Sequence, residues 1–586
     1  MDECSFAGGI DVSATGINGR LNCWLPELAE GTHGGDKYVV RIGHKCPDGV
    51  RFVDISQGPG RRGINGSEGG ELGGEVDEGI CVSPREYGSE ASPNHGLGCQ
   101  PAGIPSCTEE HYAHGCTVED NYGRAMTSAR SAFWHPFSDM SAVAGHDFVI
   151  TGGQGAEVTA PDGRTYLDAT AALWYCNVGH GRTEIGAAVA EQMGQIAAYS
   201  NFGDFATQVT LDLADRLAAM APMTDARIFF TSGGSDSVDT AVKIARRYWQ
   251  IKGQHSRTHM ISRTRGYHGM HFAGTSLAGI PGNRDGYGEL STQFQQVEWD
   301  DPWAVAKEID HLGAERVAAF FCEPIIGAGG VYPPPEGYLE EVRAICRERE
   351  VLFIADEVIC GFGRTGAMFA SDRWNLEPDM MLTAKGLTSG YQPMGAVFVS
   401  GEVAEPFWST PGLIFRHGYT YSGHASAAAA AMANLDILES ENLIAAVERD
   451  QLALRAELAP LAAHEHVHQV RAGVGLLGAV QISPEVLAAE PSYLPRLLRA
   501  LRVRGVLTRA LADGGLQISP PFVISRAQMH ALAVAIDDAL TEVGSHRPSA
   551  APRSGKLLPD ITADEVGGFG SRDAELLRDV PPHHVP

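Results

Sequence analysis

Across residues 226–400, short apolar runs such as ARIFF, VAAFFCEP, VLFIADEV and DMMLTA alternate with longer stretches in which apolar residues recur every three or four positions, such as SVDTAVKIARRYWQ and GYLEEVRAICRERE. In the first of those stretches Val238, Ala241, Val242, Ala245, Tyr248 and Trp249 share one helical face. The apolar runs are too short for helices and carry apolar residues at successive positions, so they predict strands buried on both sides. Strands alternating with amphipathic helices predict a mainly parallel sheet covered by helices on both faces. After about Ser426 the pattern changes to long Ala/Leu helices, two strand-like runs (VGLLGAVQI and GLQISPPFVI) and a closing helix, AQMHALAVAIDDALTEV. This predicts a second, smaller α+β unit, and a chain of 586 residues is long enough for at least two cores.

Residues 1–125 lack such periodicity. They are acidic and rich in Gly and Cys, as in GPGRRGINGSEGGELGGEVDEG, and are expected to be loop-rich or partly disordered. Within them, residues 38–56 (YVVRIGHKCPDGVRFVDIS) echo residues 148–170 (FVITGGQGAEVTAPDGRTYLDAT), and each segment reads as a β-hairpin around an Asp-Gly turn. Of 11 cysteines, Cys4, Cys23, Cys46, Cys81, Cys99, Cys107 and Cys116 lie early and form no C-x-x-C pair, which lends a zinc site or disulfide framework little support. Cys176, Cys322, Cys346 and Cys360 sit among apolar neighbours and read as small buried hydrophobes. From about His546 the chain is Pro-rich and polar, and is expected to be a solvated tail.

The formal charge of −27 argues against a nucleic-acid or anionic-membrane surface, because either would need clustered Lys and Arg. No run approaches the ~18 apolar residues of a membrane span. The N-terminus, MDECSFAGGIDVSATG, begins acidic and lacks a signal peptide's apolar stretch, so the expected compartment is the cytoplasm. Small molecules are the expected partners.

In open parallel sheets, ligands bind at the carboxyl ends of the strands. In RIFFTSGGSDSVDTAVKIARR, Ser232, Gly233, Gly234 and Ser235 join a strand to a helix. Glycines there allow close approach, and the free N–H groups at the positive end of the helix favour an anion, most often phosphate. The same residues also suit a plain strand-to-helix turn with Ser235 as N-cap. In VLFIADEVICGFGRTG an apolar strand runs into Asp356 and Glu357, carboxylates that need either backbone N–H partners or a cationic ligand atom. In PDMMLTAKGLTSG, Lys385 ends an apolar strand, where desolvation would lower its pKa and expose a nucleophilic lone pair. An anion cradle, a carboxylate and a nucleophilic amine are together what pyridoxal 5'-phosphate requires: a phosphate site, a partner that keeps the pyridine nitrogen protonated, and a lysine for the Schiff base.

Over residues 133–543 the chain resembles the class III pyridoxal-phosphate-dependent aminotransferases of fold type I, in pattern most like the ω-amino acid and amine:pyruvate transaminases. The resemblance is carried by WHPFSDM, DGRTYLDATAALWYCNVGHGR, FFTSGGSDSVDTAVKIARR, GYHG, CEPIIGAGGVYPPPEGYL, IADEVICGFGRTG, LTAKGLTSGYQPMGAV and HGYTYSGHASAAAAA. It implies a large α/β domain with a mainly parallel central sheet, plus a smaller α+β domain made from the N- and C-terminal parts. The division implied is an extension of unknown role over 1–125, small-domain segments over 126–190 and 426–545, a large cofactor-binding domain over 191–425, and a flexible tail over 546–586. Lys385 would form the internal aldimine and later shuttle the proton between substrate carbon and cofactor. Asp356 would pair with the pyridine nitrogen, Val358 and Tyr267 would sandwich the ring, and Glu323 would sit beside it. Main-chain N–H groups of Gly234 and Ser235 would hold the phosphate, assisted by the partner subunit's Thr420, since the family's site spans a two-fold interface. A homodimer or a dimer of dimers is therefore implied.

The implied reaction moves an amino group from an amine or ω-amino acid to a keto acid such as pyruvate in two ping-pong half-reactions. Trp174 matches an aromatic wall of the substrate pocket and Arg509 a mobile arginine that receives the keto acid's carboxylate, with Arg416 as a further candidate. Two departures stand out: Gly233-Gly234-Ser235-Asp236-Ser237 replaces the common S-G-S-E-A, and Ala425 replaces a usual proline after SGH. The same fold also supports racemases, aminomutases and a decarboxylase. Residues 1–125 match nothing in the family, which leaves open a separate binding module there for a partner or tethered substrate.

Other motifs are set aside. GFGRTG (361–366) and GVGLLG (473–478) do not open helices as a dinucleotide site requires. His464, His466 and His468 of HEHVHQ would share a face if extended, but a polar loop or exposed strand is the expected reading, with no metal. Ser232 and Ser235, with His268 elsewhere, lack a nucleophile-elbow string.

Overall fold

The computed structural model describes residues 131–545, and of the preceding chain only the backbone of the strands Leu28–His33, Asp36–Ile42, Arg51–Gln57 and Ile80–Cys81. The chain divides into two compact units, Met1–Gly115 and Cys116–Pro586. In the first unit the four strands form one sheet in chain order. Asp36–Ile42 pairs antiparallel with Arg51–Gln57, Ile42 opposite Val53; the Asp48-Gly49 turn expected between them lies outside the described residues. The loop-rich character of 1–125 and the side chains of its cysteines, like the tail over 546–586, lie outside the described residues.

The second unit is built on a seven-stranded sheet in the spatial order Phe294–Val297, His259–Arg263, Val317–Cys322, Leu352–Asp356, Met380–Thr383, Gly395–Val399, Arg227–Thr231. Only Gly395–Val399 runs against the rest. The predicted apolar runs are thus strands, and side chains alternate between two cores as a period of two demands. Phe320, Phe353, Met381 and Phe398 face a core shared with Leu339 and Val342 of the helix Tyr338–Glu348 and with the Ala-rich helix Ala425–Ser440. Phe321, Ile354, Leu382 and Val397 face the opposite core, against Val238, Ala241, Val242, Ala245, Tyr248 and Trp249 of the helix Gly234–Ile251, the face read from the sequence.

Two smaller sheets complete this unit. The expected strand VGLLGAVQI is divided: Val467–Val474 turns back at Gly475 and pairs antiparallel with Leu477–Ile482, which pairs in turn with Gly515–Ile518. The run GLQISPPFVI is strand only over Gly515–Ile518, because Pro520 and Pro521 cannot donate to a ladder. The other sheet joins the two ends of the unit: Val506–Leu507 pairs parallel with Thr165–Asp168, followed by Glu157–Thr159 and Gly152–Gln154. Its hairpin turns at Asp162-Gly163, where Gly163 takes φ +81° and Asp162 accepts the Arg164 N–H at 3.0 Å. The closing helix spans Arg526–Ser545. His464 and His466 lie in a loop, where the His466 ring is engaged with the Tyr493 hydroxyl at 2.8 Å. Cys176, Cys322, Cys346 and Cys360 are buried free thiols. Among the described residues no helix is long and apolar enough to cross a membrane.

Candidate active site

The strands Arg227–Thr231, Val317–Cys322, Leu352–Asp356 and Met380–Thr383 deliver their carboxyl ends to a cavity of about 400 Å³. Gly234, Ser235, Tyr267, Glu323, Asp356, Val358, Lys385, Trp174 and Arg509 all line it.

One wall is the start of the 18-residue helix Gly234–Ile251. Its N-cap is Gly233, in extended backbone and with no side-chain cap, rather than Ser235 as the plain-turn reading held. Ser235 instead lies in the first turn, where its hydroxyl accepts the Met270 N–H at 3.1 Å. With Gly at the cap, the first-turn N–H groups have no capping side chain, and the positive end of the helix meets the cavity. The packing here leaves no slack: a Cβ on Gly234 would lie 3.0 Å from Val358 Cγ1, and one on Gly269, at φ +82°, 2.4 Å from Ser235 Oγ.

Asp356 and Glu357 divide the two alternatives between them. Glu357 accepts the N–H groups of Ala370 (2.6 Å) and Ser371 (2.7 Å), and burial pushes its carboxyl up to about 7. Asp356 lines the cavity, with Oδ2 2.8 Å from His268 Nδ1 and Oδ1 accepting the Val358 N–H at 3.2 Å. His268 is buried and was not linked to this site by the sequence. The available signal was its place beside Tyr267 in GYHG, together with the need of a buried carboxylate for a donor. Glu323 is also buried, and its two oxygens accept the N–H groups of Tyr267 (2.8 Å) and Gly327 (3.0 Å). Burial raises its pKa despite the opposing pull of His268.

Lys385 opens a 3₁₀ turn just past the strand Met380–Thr383. Its backbone is left-handed, at φ +40°, a conformation that costs a side-chain-bearing residue about 1–2 kcal/mol. Burial lowers its amine pKa from 10.5 to about 8; Asp356 and Glu323 resist that fall and the like charge of Arg509 adds to it. The amine is 5.4 Å from the centre of the Trp174 ring, and the Arg509 guanidinium is 4.7 Å from the same centre. Arg509 Nε donates to Gln517 Oε1 at 2.7 Å.

Two candidates lie elsewhere. Thr420 is exposed and does not line the cavity of its own chain. Arg416 lines a separate surface hollow with Lys243, Arg247 and His417, because the segment after Leu413 runs along the outside of the Gly234–Ile251 helix. Besides His268, the structure adds Pro136, Phe137, Leu173, Val238, Gly269, Ala328 and Ile359 to the cavity wall.

Residues 140–540 match the family model described as Aminotransferase class-III. The chain is 39% identical over 406 residues to a putrescine–pyruvate aminotransferase of Pseudomonas aeruginosa, covering 66% of this chain and 88% of that protein. It is 37% identical over 375 residues to an omega-amino acid–pyruvate aminotransferase of Pseudomonas putida, covering 60% and 83%. Among solved structures, a PLP-bound amine transaminase from an uncultivated Pseudomonas species superposes with a TM-score of 0.68 at 35% identity, covering 71% of this chain and 100% of that one. The α/β architecture is that of the fold type I pyridoxal-phosphate transferases. With the family match spanning all three sheets of the second unit and Lys385 itself, the chain belongs to the class III aminotransferases.

Proposed function

We propose that this aminotransferase binds pyridoxal 5'-phosphate in the Lys385 cavity and moves the amino group of an amine or ω-amino acid to a keto acid such as pyruvate in two half-reactions. One observation carries the reading: an uncapped helix N-terminus, a carboxylate and a buried amine of lowered pKa line one cavity. Its volume of about 400 Å³ suits a small cofactor. When bound, pyridoxal phosphate supplies an imine-forming carbonyl and an electron-withdrawing ring that accepts the electrons left when a proton departs the donor carbon.

The chain's own residues supply the rest. The N–H groups of Gly234 and Ser235 would hold the phosphate, Asp356 would face the ring nitrogen with His268 fixing its carboxylate, and Val358 and Tyr267 would flank the ring. Glu323 holds the Tyr267 backbone in place. Lys385 Nζ is the nucleophile and the base that moves a proton to and from the donor carbon. With a pKa of about 8, roughly a tenth of the amine is neutral at pH 7, against roughly one part in three thousand for an ordinary lysine. Trp174 would bound the substrate side and Arg509 would clamp a keto acid's carboxylate. Relatives named for putrescine, ω-amino acids and β-alanine with pyruvate support this substrate class. Relatives named as aminotransferases favour amino transfer over racemase, aminomutase or decarboxylase chemistry.

A homodimer, or a dimer of dimers, is part of the reading. Thr420 would serve the neighbouring site, and exposed Phe202, Phe205 and Tyr421 offer apolar surface to cover. Residues 126–190 and 426–545 would form the smaller domain around a large domain over 191–425. A panel of diamines and ω-amino acids with pyruvate or 2-oxoglutarate, assayed for stoichiometric amino acid formation, tests the reaction. Lys385→Ala is expected to abolish both turnover and the absorption band that arises only when the cofactor is linked to the lysine; a variant that keeps both sinks the assignment.

A further inference from the structure

Trp174 reaches the cavity from a strained turn. Ala171, Ala172 and Trp174 take φ of +47°, +59° and +60°, and Ala172, with ψ −69°, has the rare γ-turn geometry. None of them is glycine, and such a turn persists only where its surroundings over-determine it. The indole Nε1 is buried and makes no hydrogen bond, so the ring is aimed by its backbone rather than by its own polar atom.

What fastens that backbone is Asp168, the last residue of the strand Thr165–Asp168. Its Oδ1 accepts the Thr170 N–H (3.0 Å) and hydroxyl (2.9 Å), and its Oδ2 accepts the Ala172 N–H (2.7 Å) from the middle of the strained turn. The same Oδ2 lies 2.9 Å from His180 Nε2. His180 is itself fixed by reciprocal main-chain bonds with Gly155, at 2.8 and 3.0 Å, and its Nδ1 is 3.4 Å from Cys176 Sγ. Burial alone would raise the Asp168 carboxyl, but the bonds from His180, Thr170 and Ala172 hold it below its ordinary value. Neither Asp168 nor His180 lines the cavity.

We propose that Asp168, backed by His180, is a positioning residue that shapes the substrate side of the cavity by locking the turn that presents Trp174 to Lys385 and Arg509. The proposal rests on the reading of this cavity as the aminotransferase site. Without the carboxylate, the buried Thr170 N–H and the half-buried Ala172 N–H lose their acceptor and the turn relaxes toward ordinary φ. The ring is then drawn away from both cations.

The test uses Asp168→Ala, Asp168→Asn and His180→Gln, each alone and combined with Trp174→Ala, in the full-length protein. Alone, each is expected to raise KM for amine and keto acid, by about tenfold for Asp168→Ala, with a smaller fall in kcat. In the Trp174→Ala background the same changes should alter KM by less than about twofold, since the element they position is gone. A second readout needs no cofactor: the near-UV circular dichroism difference between wild type and Trp174→Phe reports the ordered indole. That difference should fall by at least about half in Asp168→Ala and His180→Gln, and be partly restored in Asp168→Asn, which keeps an acceptor oxygen. Full multiplication of the KM effects with Trp174→Ala, or an unchanged indole signal, would overturn the proposal. Should Asp168→Ala not fold, Asp168→Asn and His180→Gln decide. A wild-type protein without transaminase activity would refute the site reading, while the indole measurement would still judge the role of Asp168.

Discussion

Lys385 is expected to titrate far below an ordinary lysine in the cofactor-free protein. The fall from 10.5 to about 8, caused chiefly by burial, amounts to a preference for the neutral amine on the order of 3 kcal/mol. The direct assay is a brief pulse of a small amine-reactive reagent across a pH series, with the extent of labelling at Lys385 read by mass spectrometry. The labelling midpoint should lie near 8. Asp356→Asn removes the foremost charge that favours the ammonium and should move the midpoint lower still, whereas Arg509→Met removes a like charge and should move it up. The folded value lies below the unfolded one, so between about pH 8 and 10.5 the unfolded chain binds more protons and stability rises with pH. Below pH 8 the full cost of burying the charge is present. Lys385→Met should lack that rise, and the slope rather than the absolute midpoint of unfolding is the comparison. A labelling midpoint near 10.5, or shifts of the same sign in the two neighbour variants, would refute the reasoning.

Gly269→Ala places a methyl 2.4 Å from Ser235 Oγ at a residue with φ +82°. Cofactor affinity, measured by equilibrium titration, should drop at least about tenfold, with roughly 1–2 kcal/mol lost in stability. Glu357→Gln tests the second strand-end carboxylate. Its folded pKa is raised from 4.5 to about 7 by burial, so wild-type stability should fall as pH rises through that window. The variant should gain relative to wild type between pH 5 and 8 by an amount on the order of 3 kcal/mol, and a pH-independent difference in unfolding midpoints would contradict this. The buried ion pair of Arg471 with Asp513, which also accepts the Tyr332 hydroxyl at 2.8 Å, should resist single removal. Arg471→Met should cost about 3–5 kcal/mol in denaturant unfolding, and Arg471→Met with Asp513→Leu should recover more than half of that.

What could be read from the sequence tracks the strength of the local pattern. The Gly234–Ile251 helix was legible from its single apolar face at spacings of three and four, and the strands ending at Asp356 and Thr383 from their unbroken apolar runs. His259–Arg263 was not, because HMISR places Ser262 and Arg263 where a buried strand should be apolar. Both are fully inside: Ser262 donates to the Leu277 carbonyl at 2.6 Å, and Arg263 donates to the Glu323 carbonyl and lies 5.3 Å from the centre of the Tyr338 ring. Those partners are remote in sequence, so no local window announces them. The left-handed turn through Ala171, Ala172 and Trp174 was hidden for a related reason. Nothing in ALWYC suggests positive φ, and the conformation is imposed by Asp168 and His180 from outside the turn. Lys385 and Asp356, which the structure places on one cavity, stood out because their chemistry is scarce: a lysine and a carboxylate at the ends of apolar strands have few inexpensive roles. Tyr267, Val358, Glu323, Trp174 and Arg509, which line the same cavity, were indicated only by the family resemblance.

The adjacent carboxylates show where pattern reading stops and geometry takes over. Asp356 and Glu357 follow the same apolar strand and are both carboxylic acids, so apart from the family resemblance the local pattern offers no ground for choosing between them. The choice is made by the ladder. Asp356 is still paired, opposite Leu382, and Glu357 donates its N–H to the Leu382 carbonyl at 2.9 Å. The strand's alternation therefore persists one residue past its last assigned position, and the two side chains leave on opposite faces of the sheet. One face holds the cavity with Lys385, where a carboxylate can act on the amine's charge. The other meets the start of the short helix Ala370–Arg373, whose N–H groups take up the Glu357 oxygens. A one-residue slip of the strand Leu352–Asp356 would exchange these roles and turn its apolar side chains into the wrong cores. The packing of Phe353 and Ile354 thus fixes the register that puts Asp356, and not Glu357, opposite the lysine.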